Sequence, residues 1–140
     1  MDDSEINSVT DAIIGAAIEV HRQLGPGLLE SVYRKCLAYE LRKRGHHVVE
    51  EQPIPVIYDG QKLECGFRAD LFVDKLVIAE LKAKSVIHPV DHAQVLSHLR
   101  LMNLPVGLLL NFHEVKLIDG LNRIVNDYRG PKPGSGTRQS

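Results

Sequence analysis

Ile6, Val9, Ile13, Ile14, Ala17, Ile18 and His21 recur at the intervals that line one face of an α-helix. Gly25-Pro26-Gly27 stops that helix. A second helix is expected over residues 28–44, with Gly45 as its C-terminal stop. The period then shortens, and residues 48–51, 54–58, 62–73 and 76–83 read as strands. Asp59-Gly60 is a two-residue hairpin turn. Pro53 and Pro55 cannot donate ladder hydrogen bonds, so their strand belongs at a sheet edge or at a bulge. Pro89 opens a third helix to residue 102, and residues 106–112 form a short buried strand behind Pro105. Residues 115–118 and 121–125 are expected as a final strand pair around Asp119-Gly120. The order is helix, helix, three-stranded meander, helix, strand. One domain is expected over residues 1–129, followed by a disordered tail of Pro, Gly, Ser and Arg composition over residues 130–140.

Composition changes this picture little. A chain of 140 residues, 44% hydrophobic and 25% charged, has ordinary globular usage and enough length for one core. A net charge of −1 gives no overall electrostatic footprint for nucleic acid, so any such contact must come from a local patch. Cys36 and Cys65 have no metal-binding spacing and do not suggest a disulfide framework, which fits a reduced, cytoplasmic protein. The start lacks a basic region, and no apolar run approaches the roughly 18 residues of a membrane span, so no membrane role is expected.

The chemistry lies in the strands. Asp70 stands within Gly66-Phe-Arg-Ala-Asp-Leu-Phe-Val73, and Glu80-Leu81-Lys82 within Leu76-Val-Ile-Ala-Glu-Leu-Lys-Ala83. An ionised carboxylate in such a run is expensive to bury unless something compensates it, and a divalent cation is one compensation. Side chains alternate along a strand, so Glu80 and Lys82 project from one side and Leu81 from the other. Two carboxylates and an ammonium converging on one spot suit metal-assisted hydrolysis, with the acids on a hard cation and the lysine on a water. The competing reading is a set of cross-strand ion pairs. For the carboxylates to share a metal, position numbers across the hairpin must sum to 150, pairing Val73 with Val77 and leaving Asp74-Lys75-Leu76 as the loop.

Asp70 with Glu80-Leu81-Lys82 resembles the D…(D/E)-x-K signature of the PD-(D/E)XK nuclease superfamily, and Gly27-Leu-Leu-Glu30-Ser-Val-Tyr33 resembles the motif of its GxxExxY family. The likeness runs from about residue 13 to residue 126 and takes in Gln52-Pro-Ile-Pro-Val56, Ala93-Gln94 and Gly107-Leu-Leu-Leu-Asn-Phe112. It implies an α/β fold with a restriction-endonuclease-like αβββαβ core, a mixed sheet flanked by helices. It also implies that Asp70, Glu80, the Leu81 carbonyl and the helical Glu30 bind Mg²⁺ or Mn²⁺ while Lys82 serves the attacking water. Glu30 in a first helical turn is also favoured by the helix dipole and could simply pair with Arg34. Tyr33 reads as a packing residue with a polar tip. Gln94 resembles the glutamine of a Q-x-x-x-Y motif beside the active site in related nucleases, with His98 where the tyrosine would stand. An imidazole there can still contact a phosphate; the alternative is a solvent-facing pair one turn apart.

His88 and His92 have i, i+4 spacing but no further ligand at a convincing distance, so capping and surface roles are expected. Among the cations, Arg34 and Arg68 are expected nearest Asp70 and are the candidates for nucleic-acid contact, whereas Arg42, Lys43 and Arg44 complement a helix C-terminus. The expected function is metal-dependent phosphodiester hydrolysis of DNA, less readily RNA. The alternative is a catalytically inactive nuclease-fold module that binds nucleic acid or a protein partner. The long apolar first helix is the one hint of an oligomer.

Overall fold

A computed structural model describes residues 2–127; the tail expected over residues 130–140 lies outside them. Helix α1, Asp3–Leu24, begins at Asp2, whose side chain accepts the Glu5 N–H. It turns through Gly25-Pro26-Gly27 into α2, Glu30–Lys43, which starts two residues later than its apolar pattern suggests. The fully buried Tyr33 explains the late start. Its hydroxyl donates to the Gly25 carbonyl at 2.6 Å and accepts the Leu28 N–H at 3.1 Å, holding Leu28 in the turn.

The strands are β1 Val48–Pro53, β2 Val56–Tyr58, β3 Gln61–Leu63, β4 Arg68–Val73, β5 Val77–Lys82, β6 Val106–Asn111 and β7 Leu121–Val125, with α3, Pro89–Met102, between β5 and β6. Five of them form one mixed sheet in the order β1-β4-β5-β6-β7, in which β5 and β6 are parallel and the other pairs antiparallel. The proline-bearing β1 lies at the edge, as its missing donors require. Apolar clusters fill both faces. Ile13, Ala17, Leu37 and Leu41 pack against Leu71, Val77, Ala79 and Leu81 on one side, and Val95 and Leu99 pack against Ile78 and Leu109 on the other. This is the mixed sheet flanked by helices that the αβββαβ pattern implied.

Two expectations are corrected. Residues 62–73 are not one strand: β3 pairs with β2 around Asp59-Gly60 as a separate two-stranded sheet, and the chain breaks before β4 at Gly66, where φ is 79°. The Ile54 N–H donates to the Phe67 carbonyl at 2.9 Å and closes this excursion, so β1, β4 and β5 form the meander with a hairpin inserted. Residues 115–118 form no strand either. Val115 and Ile118 are exposed and offer no face to bury, and a 3₁₀ turn, Leu117–Gly120, carries the chain into β7. The apolar face of α1 that hinted at an oligomer is used internally, since Ile6, Val9, Ile13, Ala16, Ala17 and Val20 all belong to the core.

Candidate active site

The β4–β5 ladder pairs Val73 with Val77, Phe72 with Ile78 and Leu71 with Ala79, each pair summing to 150, around the three-residue turn at Asp74-Lys75-Leu76. The next step along each strand is a carboxylate, Asp70 and Glu80, and there the strands part. Leu71 packs with the α1/α2 side but Ala69 with the α3 side, so the regular alternation breaks at Asp70. Across from it, β1 pairs Glu50 with Leu71 and Gln52 with Ala69, leaving Glu51 between them with φ 51°. Asp70 Oδ2 occupies the gap and accepts the Leu81 N–H at 2.7 Å.

Burial pushes the Asp70 carboxyl above its ordinary range; the Leu81 hydrogen bond opposes that, the charge of Glu80 adds to it, and Lys82 and Arg34 oppose it. Glu30, half-buried in the first turn of α2, is likewise pushed up by burial and then by the charge of Asp70, against Lys82, Arg34 and Lys84. Elements distant in sequence thus bring Glu30, Asp70, Glu80 and Lys82 into one electrostatic neighbourhood. The Lys82 ammonium makes no hydrogen bond or ion pair among the described residues. Arg34 is held at this site's margin, its Nε 3.8 Å from Glu50 Oε1 and an Nη 4.0 Å from Glu51 Oε1.

Glu80 projects to the α3 side, where its Oε2 meets His98 Nδ1 at 2.5 Å, both side chains nearly inaccessible. Gly107 allows α3 this close: a Cβ there would stand 3.1 to 3.2 Å from Ile78, Leu99 and Val95. His98 therefore sits inside the helix–sheet layer rather than on the solvent-facing side of α3. Gln94, one turn earlier, is exposed, as is Arg68. The outer end of β5 is locked by residues to which the sequence assigned no site role. The buried Asp91 takes the Lys84 ammonium at 2.7 Å and the His88 N–H at 2.8 Å, and Lys84 draws its carboxyl below the usual range. Fully buried Asn111 accepts the Lys84 N–H and donates to the Lys84 carbonyl. Asp91, Val95, His98 and Leu99 stand at helical spacing, which is the signal that could have placed Asp91 and His98 on the buried face.

The family model of the PD-(D/E)XK nuclease superfamily matches residues 7–124, a span holding every one of these side chains. The chain belongs to the PD-(D/E)XK nuclease superfamily. No curated protein and no solved structure matches it. Nucleases of the superfamily generally use divalent metals. Among the described residues no three His, Cys, Asp or Glu side chains form a ready metal group, Glu80 being turned onto His98. The donor chemistry nevertheless fits a hard cation. Asp70 keeps Oδ1 clear of its bond to Leu81, and Glu80 keeps Oε1 clear of His98. The Phe112 N–H meets the Lys82 carbonyl on the β6 edge, so the Leu81 N–H and carbonyl both face the opposite edge, toward Asp70. No helix of the described residues is long and apolar enough to cross a membrane.

Proposed function

We propose that this PD-(D/E)XK chain is a divalent-metal-dependent phosphodiesterase of the GxxExxY family, acting on DNA and less readily on RNA. The observation that carries the reading is the parting of β4 and β5 at Asp70 and Glu80, with the Leu81 backbone between them and the Lys82 ammonium, unpaired among the described residues, beside them. Asp70, Glu80, the Leu81 carbonyl and Glu30 would hold Mg²⁺ or Mn²⁺, which supplies charge neutralisation at the phosphodiester. Lys82 orients the attacking water and stabilises negative charge that develops on the phosphoryl oxygens. Gln94, exposed on α3 one turn from His98, would serve as a substrate-positioning group. Arg34 and Arg68 are the phosphate contacts, Arg34 through its charge on Glu30 and Asp70 and Arg68 through its exposed place on β4. His98 holds Glu80 in place of the phosphate contact its motif position suggested. Two free cysteines fit a reducing cytoplasmic setting.

The inactive nucleic-acid-binding module stays as the second reading because Glu80 is engaged by His98. Incubation with single- and double-stranded DNA and RNA in Mg²⁺, Mn²⁺ or EDTA separates the two. Metal-dependent cleavage supports the enzyme; binding without cleavage under every metal supports the module.

A further inference from the structure

We infer that Phe67 is a nucleobase-stacking subsite at the mouth of this site, which gives the protein a preference for unpaired strands; the inference rests on the nuclease reading. Of the three phenylalanines, Phe112 is fully buried and Phe72 packs on the α3-side cluster, whereas Phe67 belongs to neither cluster and is 45% exposed. Its ring does not hang in solvent at random. The backbone is pinned by the Ile54 N–H on the Phe67 carbonyl, and the ring rests against His98 with centroids 6.1 Å apart and planes tilted by 46°. His98 in turn holds Glu80. The exposed ring is therefore one imidazole away from a carboxylate of the reaction site, a distance on the scale of a single nucleotide.

Phenylalanine has no polar handle, so what it offers a ligand at this mouth is a π face. Every base presents such a face, and stacking on an aromatic side chain tolerates sequence. A duplex keeps its bases stacked on each other and must pay unstacking to present one, whereas a single strand presents one at little cost. Arg68, next in the chain and exposed, makes no ion pair among the described residues and suits the adjoining phosphate.

The sequence contains no tryptophan, so Phe67→Trp adds a single fluorophore at the subsite. Carried on the Lys82→Ala chain in Mg²⁺, it should be quenched by short oligodeoxythymidylate and oligouridylate and much less by the duplex of the same length. Phe67→Leu, apolar but without a π face, should lose about tenfold or more in single-strand affinity and leave duplex affinity unmoved. Single strands that bind without quenching, or a Phe67→Leu chain that binds both substrates as its parent does, would overturn the stacking subsite and leave the nuclease reading standing. Failure of the parent to bind any of these nucleic acids would overturn both.

Discussion

His98 Nδ1 lies 2.5 Å from Glu80 Oε2, and the two side chains are 5% and 6% exposed. A carboxylate so enclosed must be satisfied by the protein. His98→Ala leaves it without its partner and should cost about 2 kcal/mol or more, read from denaturant unfolding. His98→Gln, whose amide can donate to Glu80, should recover part of the loss. Because Glu80 would also lose its fixed orientation, divalent-metal affinity measured by calorimetry should fall in His98→Ala.

Burial raises the Asp70 carboxyl above its ordinary range, and the sign of its effect on stability follows. A raised folded-state pKa means the folded protein binds more protons than the unfolded chain between the ordinary aspartate value, about 3.9, and the raised one. Metal-free wild type should therefore gain stability from this group as pH falls through that window. Asp70→Asn, which still offers an oxygen to the Leu81 N–H, should be more stable than wild type at pH 7 by about 0.5–2 kcal/mol. The gap should close as the pH falls. Saturating Mg²⁺ or Mn²⁺ should reverse the order, raising the wild-type melting temperature and leaving Asp70→Asn unmoved; at a hundred times Kd the gain is about 2.7 kcal/mol.

Tyr33 links the GxxExxY motif to the site mechanically. Its ring stacks on Phe112 at 4.5 Å, and its hydroxyl ties the turn from which Glu30 begins α2. Tyr33→Phe keeps the stack but strands the Gly25 carbonyl and the Leu28 N–H. A loss of about 1–3 kcal/mol is expected in denaturant unfolding, together with weaker metal binding as Glu30 loosens.

How far the sequence reached depends on what each residue's neighbours are. The 71↔79, 72↔78 and 73↔77 register was legible because only that pairing brings Asp70 across from Glu80. The break after Leu63 was not, since Glu64-Cys65-Gly66 sits between strand-forming residues and the positive φ of Gly66 becomes visible only when Ile54 closes on Phe67. At the site, Asp70, Glu80 and Lys82 were singled out by their chemistry as candidates, whereas the His98 bond to Glu80 needed the packing of α3 over Gly107. A glutamine and a histidine one turn apart read equally as a pair at the site or as a solvent-facing pair; Gln94 is exposed and His98 is buried.

The measurement that bears most directly on the phosphodiesterase account is single-turnover cleavage by Lys82→Ala beside wild type, each at saturating metal and substrate. Lys82 has no structural partner among the described residues, so the variant should fold and show the wild-type metal-induced rise in melting temperature. Its cleavage rate should fall on the order of 10² or more, the cost of losing one group that positions water or stabilises developing charge. Cleavage by Lys82→Ala at the wild-type rate would contradict the account.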